Sequence, residues 1–307
     1  MRAAFIETLV ELGERDRRIL FLTGDLGFMA IEPWVNRFPD RFFNVGVAEQ
    51  NMVGIATGLA EAGYIPFVYS IATFASLRPF EFIRNGPILH RLPVRIVGVG
   101  GGFEYGSAGT THHALEDLGV MRTQPGLTVI APADSQQTRT AMRRTWDLPG
   151  PIYYRIGKDD RTTIRGLNGD FVLGRASVIR RGKDLVFVTS GSVAAEVAEA
   201  AELLAARGIQ CTVIVVASVN PAPISDLVDE LSRFSRVITV EAHYVNGGIG
   251  SMVAEVIAEH GIPCRLERCG VRRGPDGRAG SQRYLYQQHG IDRASLVETA
   301  VTMLAPV

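Results

Sequence analysis

Cysteine is scarce in this 307-residue chain: Cys211, Cys264 and Cys269 make an odd number with no zinc-like spacing. That excludes a disulfide framework and a cysteine-based zinc site, and three idle thiols in a reduced, cytoplasmic protein are expected. Charge of one sign is also missing. Lys plus Arg and Asp plus Glu are both 32, so the net charge is zero. A nucleic-acid binder carries a basic surplus or stripe, and none is present. No apolar run reaches the roughly 20 residues that span a bilayer. The opening Met1-Arg2-Ala3-Ala4-Phe5-Ile6-Glu7 reads as an amphipathic helix and lacks a signal-peptide core. The pattern therefore points away from nucleic acid and membranes.

What is present is alternation. Apolar runs of strand length fall at 18–23, 65–70, 94–99, 127–130 and 152–155, with helical patterns at 3–15, 48–62, 75–90 and 134–145. Such alternation predicts parallel strands covered by helices. A polar, turn-rich stretch follows, and the boundary is placed there: residues 1–160 form one domain, 161–171 a linker and 172–307 a second domain. The second alternation has strands near 172–180, 184–190, 209–216, 236–240 and 263–268, and helices near 192–207, 222–234, 247–260 and 291–304. The fold class is α/β, with two domains built on mainly parallel sheets.

Candidate chemistry begins with Asn44-Val45-Gly46-Val47-Ala48-Glu49-Gln50-Asn51, which sets one carboxylate between a strand and a small-residue helix. Glu49 is either a helix-start charge, favoured by free N–H groups and the helix dipole, or a working acid/base. Phe74 falls at a strand-to-helix junction, where open α/β sheets bind ligands. It is core, or a face for a flat heterocycle. Gly106-Ser107-Ala108-Gly109-Thr110-Thr111-His112-His113 is a small-residue loop with two histidines, which points to a site more than to a metal centre. Gly98-Val99-Gly100-Gly101-Gly102 fails the dinucleotide pattern because no helix opens after it. Gly247-Gly248-Ile249-Gly250-Ser251 opens a helix and reads as a tight turn rather than an anion site.

Together, Gly46-Val47-Ala48-Glu49-Gln50, Thr73-Phe74, Gly109-Thr110-Thr111-His112 and Pro132-Ala133-Asp134 resemble the pyrimidine-binding domain of transketolase-like thiamine diphosphate enzymes. Val240-Glu241 and Gly247-Gly248-Ile249-Gly250 resemble their C-terminal domain. The resemblance covers nearly the whole chain. The segment that holds the diphosphate through Mg²⁺ in these enzymes is absent. The resemblance thus implies the C-terminal half of a split transketolase, a transferase of two-carbon ketol units from ketose to aldose. An N-terminal partner subunit would carry the diphosphate and Mg²⁺ site, with no metal ligand on this chain. The implied assembly is a heterotetramer around a dimer of this chain, with thiamine diphosphate between subunits.

The resemblance also implies roles. Glu49 would hydrogen-bond a ring nitrogen of the aminopyrimidine, Phe74 would stack on it, and Phe80 is a second aromatic candidate. Asp25 and Leu26 would lie near the cofactor; otherwise Asp25 is a turn residue. His112 would contact substrate oxygens and assist proton transfer, with His113 beside it. Arg2 and Arg155 stand where the family's sugar-phosphate arginines belong, while Met29 and Gly100 replace a serine and a histidine. Ala108 stands where transketolase has an aspartate that contacts a donor hydroxyl, so an altered donor choice on a sugar or sugar phosphate is expected. Three alternatives share these residues: the β subunit of a 2-oxo acid dehydrogenase first component, a 1-deoxyxylulose-5-phosphate-synthase-like carboligase and a non-catalytic subunit.

Overall fold

Runs of Val, Ile, Leu and Phe, buried on both faces, form the central strands of two sheets, while the edge strands Phe42–Asn44, Ser177–Arg180 and Arg265–Val271 are partly exposed. The computed structural model describes residues 1–274 and 276–305; the remainder of the segment 172–307 lies outside the described residues. The strands are β1 (Ile19–Thr23), β2 (Phe42–Asn44), β3 (Ile65–Ile71), β4 (Arg95–Val99), β5 (Thr128–Ile130), β6 (Ile152–Ile156), β7 (Ser177–Arg180), β8 (Leu185–Thr189), β9 (Cys211–Val215), β10 (Ser218–Asn220), β11 (Arg236–Tyr244) and β12 (Arg265–Val271). The helices are α1 (Arg2–Arg15), α2 (Glu32–Arg37), α3 (Glu49–Glu61), α4 (Ala72–Leu77), α5 (Phe80–Ile83), α6 (Asp117–Arg122), α7 (Ser135–Thr145), α8 (Ala194–Ala206), α9 (Ile224–Leu231), α10 (Ile249–Glu259), α11 (Gln282–Gln288) and α12 (Arg293–Leu304).

The first sheet has seven strands in the order β10-β5-β6-β4-β3-β1-β2, and the second has five in the order β12-β11-β8-β9-β7. Every pairing is parallel except β10 on β5 and β7 on β9. The α/β class with mostly parallel sheets is therefore present in both halves. Strands buried on both faces explain why continuous apolar runs, rather than alternation, mark them in the sequence.

Several elements differ from the sequence pattern. The expected helix 75–90 is broken into α4, α5 and a π-type turn at Arg84–Ile88. Pro79 and Pro87 cause this, since each removes a helical N–H donor and crowds the preceding turn. β2, α2, α6 and α11 are short and carry no readable period. β10 lies in the chain's second half yet pairs with β5 of the first sheet, where Ala131 N–H donates to the Ala217 carbonyl at 2.8 Å. The polar stretch after β6 is packed rather than loose. Ile164, Leu167 and Phe171 are buried in it.

One apolar core joins the two halves: Leu22, Met52, Val53 and Leu118 of the first belong to the same cluster as Val188, Ile214, Ile249 and Val253 of the second. Asp134 fastens the stretch after β6 to this body. Its Oδ1 accepts from Gln137 N–H at 2.8 Å as the cap of α7, and its Oδ2 accepts from Ile164 N–H at 3.1 Å. Asp134→Ala should cost about 2–4 kcal/mol, since it removes a helix cap worth about 1 kcal/mol and orphans a buried amide at about 1–3 kcal/mol. Urea unfolding checks this; a loss of about 1 kcal/mol or less would show that the bond to Ile164 contributes nothing.

Candidate active site

Parallel pairing brings the carboxyl ends of β2, β1, β3 and β4 to one edge, and each feeds a loop or helix carrying a candidate side chain. β2 leads to Glu49 at the start of α3. β3 runs directly into α4, which carries Phe74. β4 opens the long loop that carries His112.

Glu49 is 2% exposed. Its carboxylate caps no helix N–H group. Instead Oε1 accepts from the Ser70 hydroxyl at 2.9 Å and Oε2 accepts from Arg78 Nη1 at 2.8 Å. Glu49 stands in the first turn of α3, as the helix-start reading expects, but its hydrogen bonds go to Ser70 and Arg78. The Arg78 guanidinium carbon also stands 3.9 Å from the centre of the Phe74 ring. The His112 ring also meets Phe74 edge-on, at 5.0 Å between centroids. The Thr111 hydroxyl lies 3.0 Å from His112 Nδ1 and orients the imidazole. Gly24 keeps the wall near Glu49 low: an added Cβ would stand 3.5 Å from Oε1. Glu49, Arg78, Phe74 and His112 thus form one continuous chain of contacts. Arg78 was not among the residues expected from the sequence. Its signal was available: it lies four residues after Phe74, one helical turn along the same face.

Other candidates lie elsewhere. Asp25 is exposed, with φ 57°, and exchanges hydrogen bonds with Asn44: its N–H donates to Asn44 Oδ1 at 3.1 Å, and Asn44 Nδ2 donates to its Oδ1 at 2.9 Å. The turn reading describes it. The Leu26 carbonyl accepts from the Thr23 hydroxyl at 3.0 Å and closes the same turn. Phe80 faces a different cavity, beside Glu116, His243 and Tyr244. His113 turns away from His112 and packs edge-on against Phe103, which stacks on His289. Arg2 lines an open groove with Phe28, Met29 and Asp160. Arg155 departs from expectation: it is 6% exposed, its Nε donates to Asp117 at 2.8 Å, and its Nη2 donates to the Ala114 and Ala242 carbonyls at 2.9 and 3.0 Å. A guanidinium so committed is not free to grip a phosphate, so Arg2 and Arg155 do not form a two-arginine fork. Among the described residues, no group of three or more His, Cys, Asp or Glu side chains is placed to hold a metal ion.

Two family models match the chain: transketolase, pyrimidine binding domain, over residues 1–161, and transketolase, C-terminal domain, over residues 174–296. The chain belongs to the transketolase family. Its similarity extends to split members. It is 36% identical over 273 residues to one of the subunits of the apulose-4-phosphate transketolase of Actinobacillus succinogenes, covering 89% of this chain and 88% of that one. It is 35% identical over 301 residues to a 6-deoxy-6-sulfo-D-fructose transketolase subunit of a Clostridium species, covering 98% and 93%. A solved split-gene transketolase, described as an inactive beta4 tetramer, superposes with a TM-score of 0.89 at 36% identity, covering 99% of this chain and 97% of that one.

The seam between the transketolase pyrimidine-binding and C-terminal regions is polar at its centre. Besides Arg155, His243 crosses it. Nε2 accepts from Gly119 N–H at 3.1 Å while Nδ1 lies 2.6 Å from the Tyr244 carbonyl, so these partners assign the proton to Nδ1. Glu241 accepts from Ile249 and Gly250 N–H at 2.8 and 2.9 Å. The amides opening α10 therefore already hold a carboxylate of this chain, and burial pushes that carboxyl's pKa up. Glu104 closes the seam on its other side, accepting from Lys158 N–H and from the Ser192 hydroxyl. Burial raises the Glu104 pKa above its ordinary 4.5, against the lowering effect of those two bonds. With the folded value above the unfolded one, the folded chain keeps a proton that the unfolded chain has released, so stability falls as pH rises through that window. Glu104→Gln should remove this part of the loss. Thermal melts of both proteins between about pH 4 and 8 test it; parallel curves would show that Glu104 titrates as an ordinary carboxylate.

Proposed function

We propose that this chain is the C-terminal subunit of a split transketolase, and that it moves a two-carbon ketol unit from a ketose to an aldose. The observation that carries the reading is Glu49: a buried carboxylate, free of helix capping, set beside an aromatic face and an oriented histidine. That set fits the pyrimidine end of thiamine diphosphate, which needs a protected acceptor and a flat surface. When bound, the cofactor supplies an acidic thiazolium carbon and an electron sink. Glu49 would hydrogen-bond a pyrimidine ring nitrogen and stabilise that nitrogen in its N–H form. Phe74 orients the ring. His112, fixed through Nδ1 by Thr111, offers Nε2 to substrate oxygens and moves a proton there.

The diphosphate and Mg²⁺ are assigned to an N-terminal partner subunit, in a heterotetramer around a dimer of this chain. Exposed apolar side chains support a docking partner: Val47, two residues before Glu49, is 70% exposed, and Phe28 and Met29 in the Arg2 groove are 85% and 80% exposed. The two similar subunits are named for ketoses that carry a phosphate or a sulfonate. We therefore propose an anionic ketose as donor, with Arg2 as the cation on the open side of the groove. This favours ketol transfer over the lipoyl-linked alternative.

The purified chain should lack transfer activity alone and gain it with the N-terminal partner, Mg²⁺ and thiamine diphosphate; full activity without the partner would overturn the split reading. Glu49→Gln should assemble normally and slow exchange of the cofactor C2 proton by about 10²–10⁴-fold. Near-normal exchange would remove Glu49 from the activating role. The loop bearing Ala108 offers a separate check. A carboxylate there would bind a donor hydroxyl with about 1.5–3 kcal/mol, so Ala108→Asp should change relative kcat/KM across a ketose panel by more than about tenfold. An unchanged ranking would mean that the loop does not meet the donor.

A further inference from the structure

Arg78 stands where the proposed function needs a ring. Its guanidinium is flat, its Nη1 donates to Glu49 Oε2 at 2.8 Å, and its central carbon lies 3.9 Å from the middle of the Phe74 ring. An aminopyrimidine with its ring nitrogen in the N–H form makes the same two demands: a donor to the carboxylate and a flat face against the aromatic ring. Both interactions are therefore already taken by a side chain of this protein. A guanidinium is well suited to imitate a planar heterocycle, because it stacks on aromatic faces and forks onto carboxylates.

We infer that Arg78 is a placeholder: it occupies the pyrimidine position, neutralises buried Glu49, and must swing out for thiamine diphosphate to bind. The inference rests on the pyrimidine-site reading of Glu49 and Phe74. Two further features fit it. Glu49 is 2% exposed, and leaving a lone carboxylate so deep costs stability unless a cation pairs with it. The Arg78 side chain is 44% exposed, so it reaches solvent by rotating about its own bonds without opening the core. Ser70, on the opposite oxygen of Glu49, is fully buried and stays with the carboxylate in either state. The apparent affinity for the cofactor is then reduced by the fraction of subunits in which Arg78 has already left.

The test uses Arg78→Met, which keeps an apolar stem and removes the planar cation, together with Glu49→Gln and the double variant. Without cofactor, Arg78→Met should lower the Tm of the chain at neutral pH, and Glu49→Gln in the same chain should restore most of that loss. If the double variant stays as unstable as Arg78→Met, Arg78 acts through something other than Glu49 and the placeholder is overturned. In the reconstituted complex with Mg²⁺, calorimetric titration with thiamine diphosphate should show Kd tightened at least about fivefold by Arg78→Met. An unchanged or weaker Kd would mean that Arg78 does not compete for the site, and would overturn the inference while leaving the function intact. Failure of the wild-type complex and of every variant to bind the cofactor would instead overturn the function itself, and the inference with it. Where Arg78→Met does not fold, Arg78→Lys, which keeps a cation but loses the planar fork, takes its place in the cofactor titration: Kd should tighten, and an unchanged or weaker Kd would overturn the inference.

Discussion

A buried carboxylate needs a partner, and the first half of this protein is arranged around that requirement. Glu49 lies under the small-residue wall of α3, where charge is costly without hydrogen bonds or a cation. Ser70 comes from β3 and Arg78 from just beyond α4, so the carboxylate ties together elements that neighbour each other only because β1 and β3 pair in parallel. Phe74 and His112 are then fixed by contact with Arg78 and with each other. The site is a consequence of strand order: its side chains come from three strand ends, Glu49 after β2, Phe74 and Arg78 after β3, and His112 after β4.

A second constraint holds the two halves together. The shared apolar core supplies attraction without direction, whereas the polar seam supplies register. Arg155 bridges Asp117, Ala114 and Ala242, and His243 receives Gly119. The same loop that bears His112 continues through Ala114 into α6, so the seam and the site are mechanically one piece. β10 adds to this by carrying a strand from the second half into the first sheet. The position of His112 therefore depends on contacts to the second half as much as on its own loop.

Much of the site was legible before the fold was known. Glu49 stood out because nothing nearby in sequence could answer its charge, and Phe74 and His112 because they fell where strands end. Arg155 misled because an arginine at a strand end looks available; its partners come from Asp117 and Ala242, 38 and 87 residues away. Phe80 and His113 are set apart from Phe74 and His112 for a related reason. Adjacent or helix-linked residues share a neighbourhood in sequence, yet a proline break after Arg78 and a turn between two histidines send them to different cavities. Arg78 was overlooked because a lone arginine in an amphipathic stretch looks solvated until its carboxylate is known.

By itself the sequence determined the α/β class, the two alternating halves, the longer central strands and the identity of the family. These follow from local apolar runs, turn residues and short motifs, all of which act within a few residues. Tertiary structure alone decided which candidates meet. It placed Arg78 between Glu49 and Phe74, locked Arg155 into the seam, filled the amides of α10 with Glu241, and joined β10 to the first sheet. The physical reason is the same each time: burial and hydrogen bonding are satisfied by whichever polar group the packing brings within about 3 Å, and chain separation does not limit that choice.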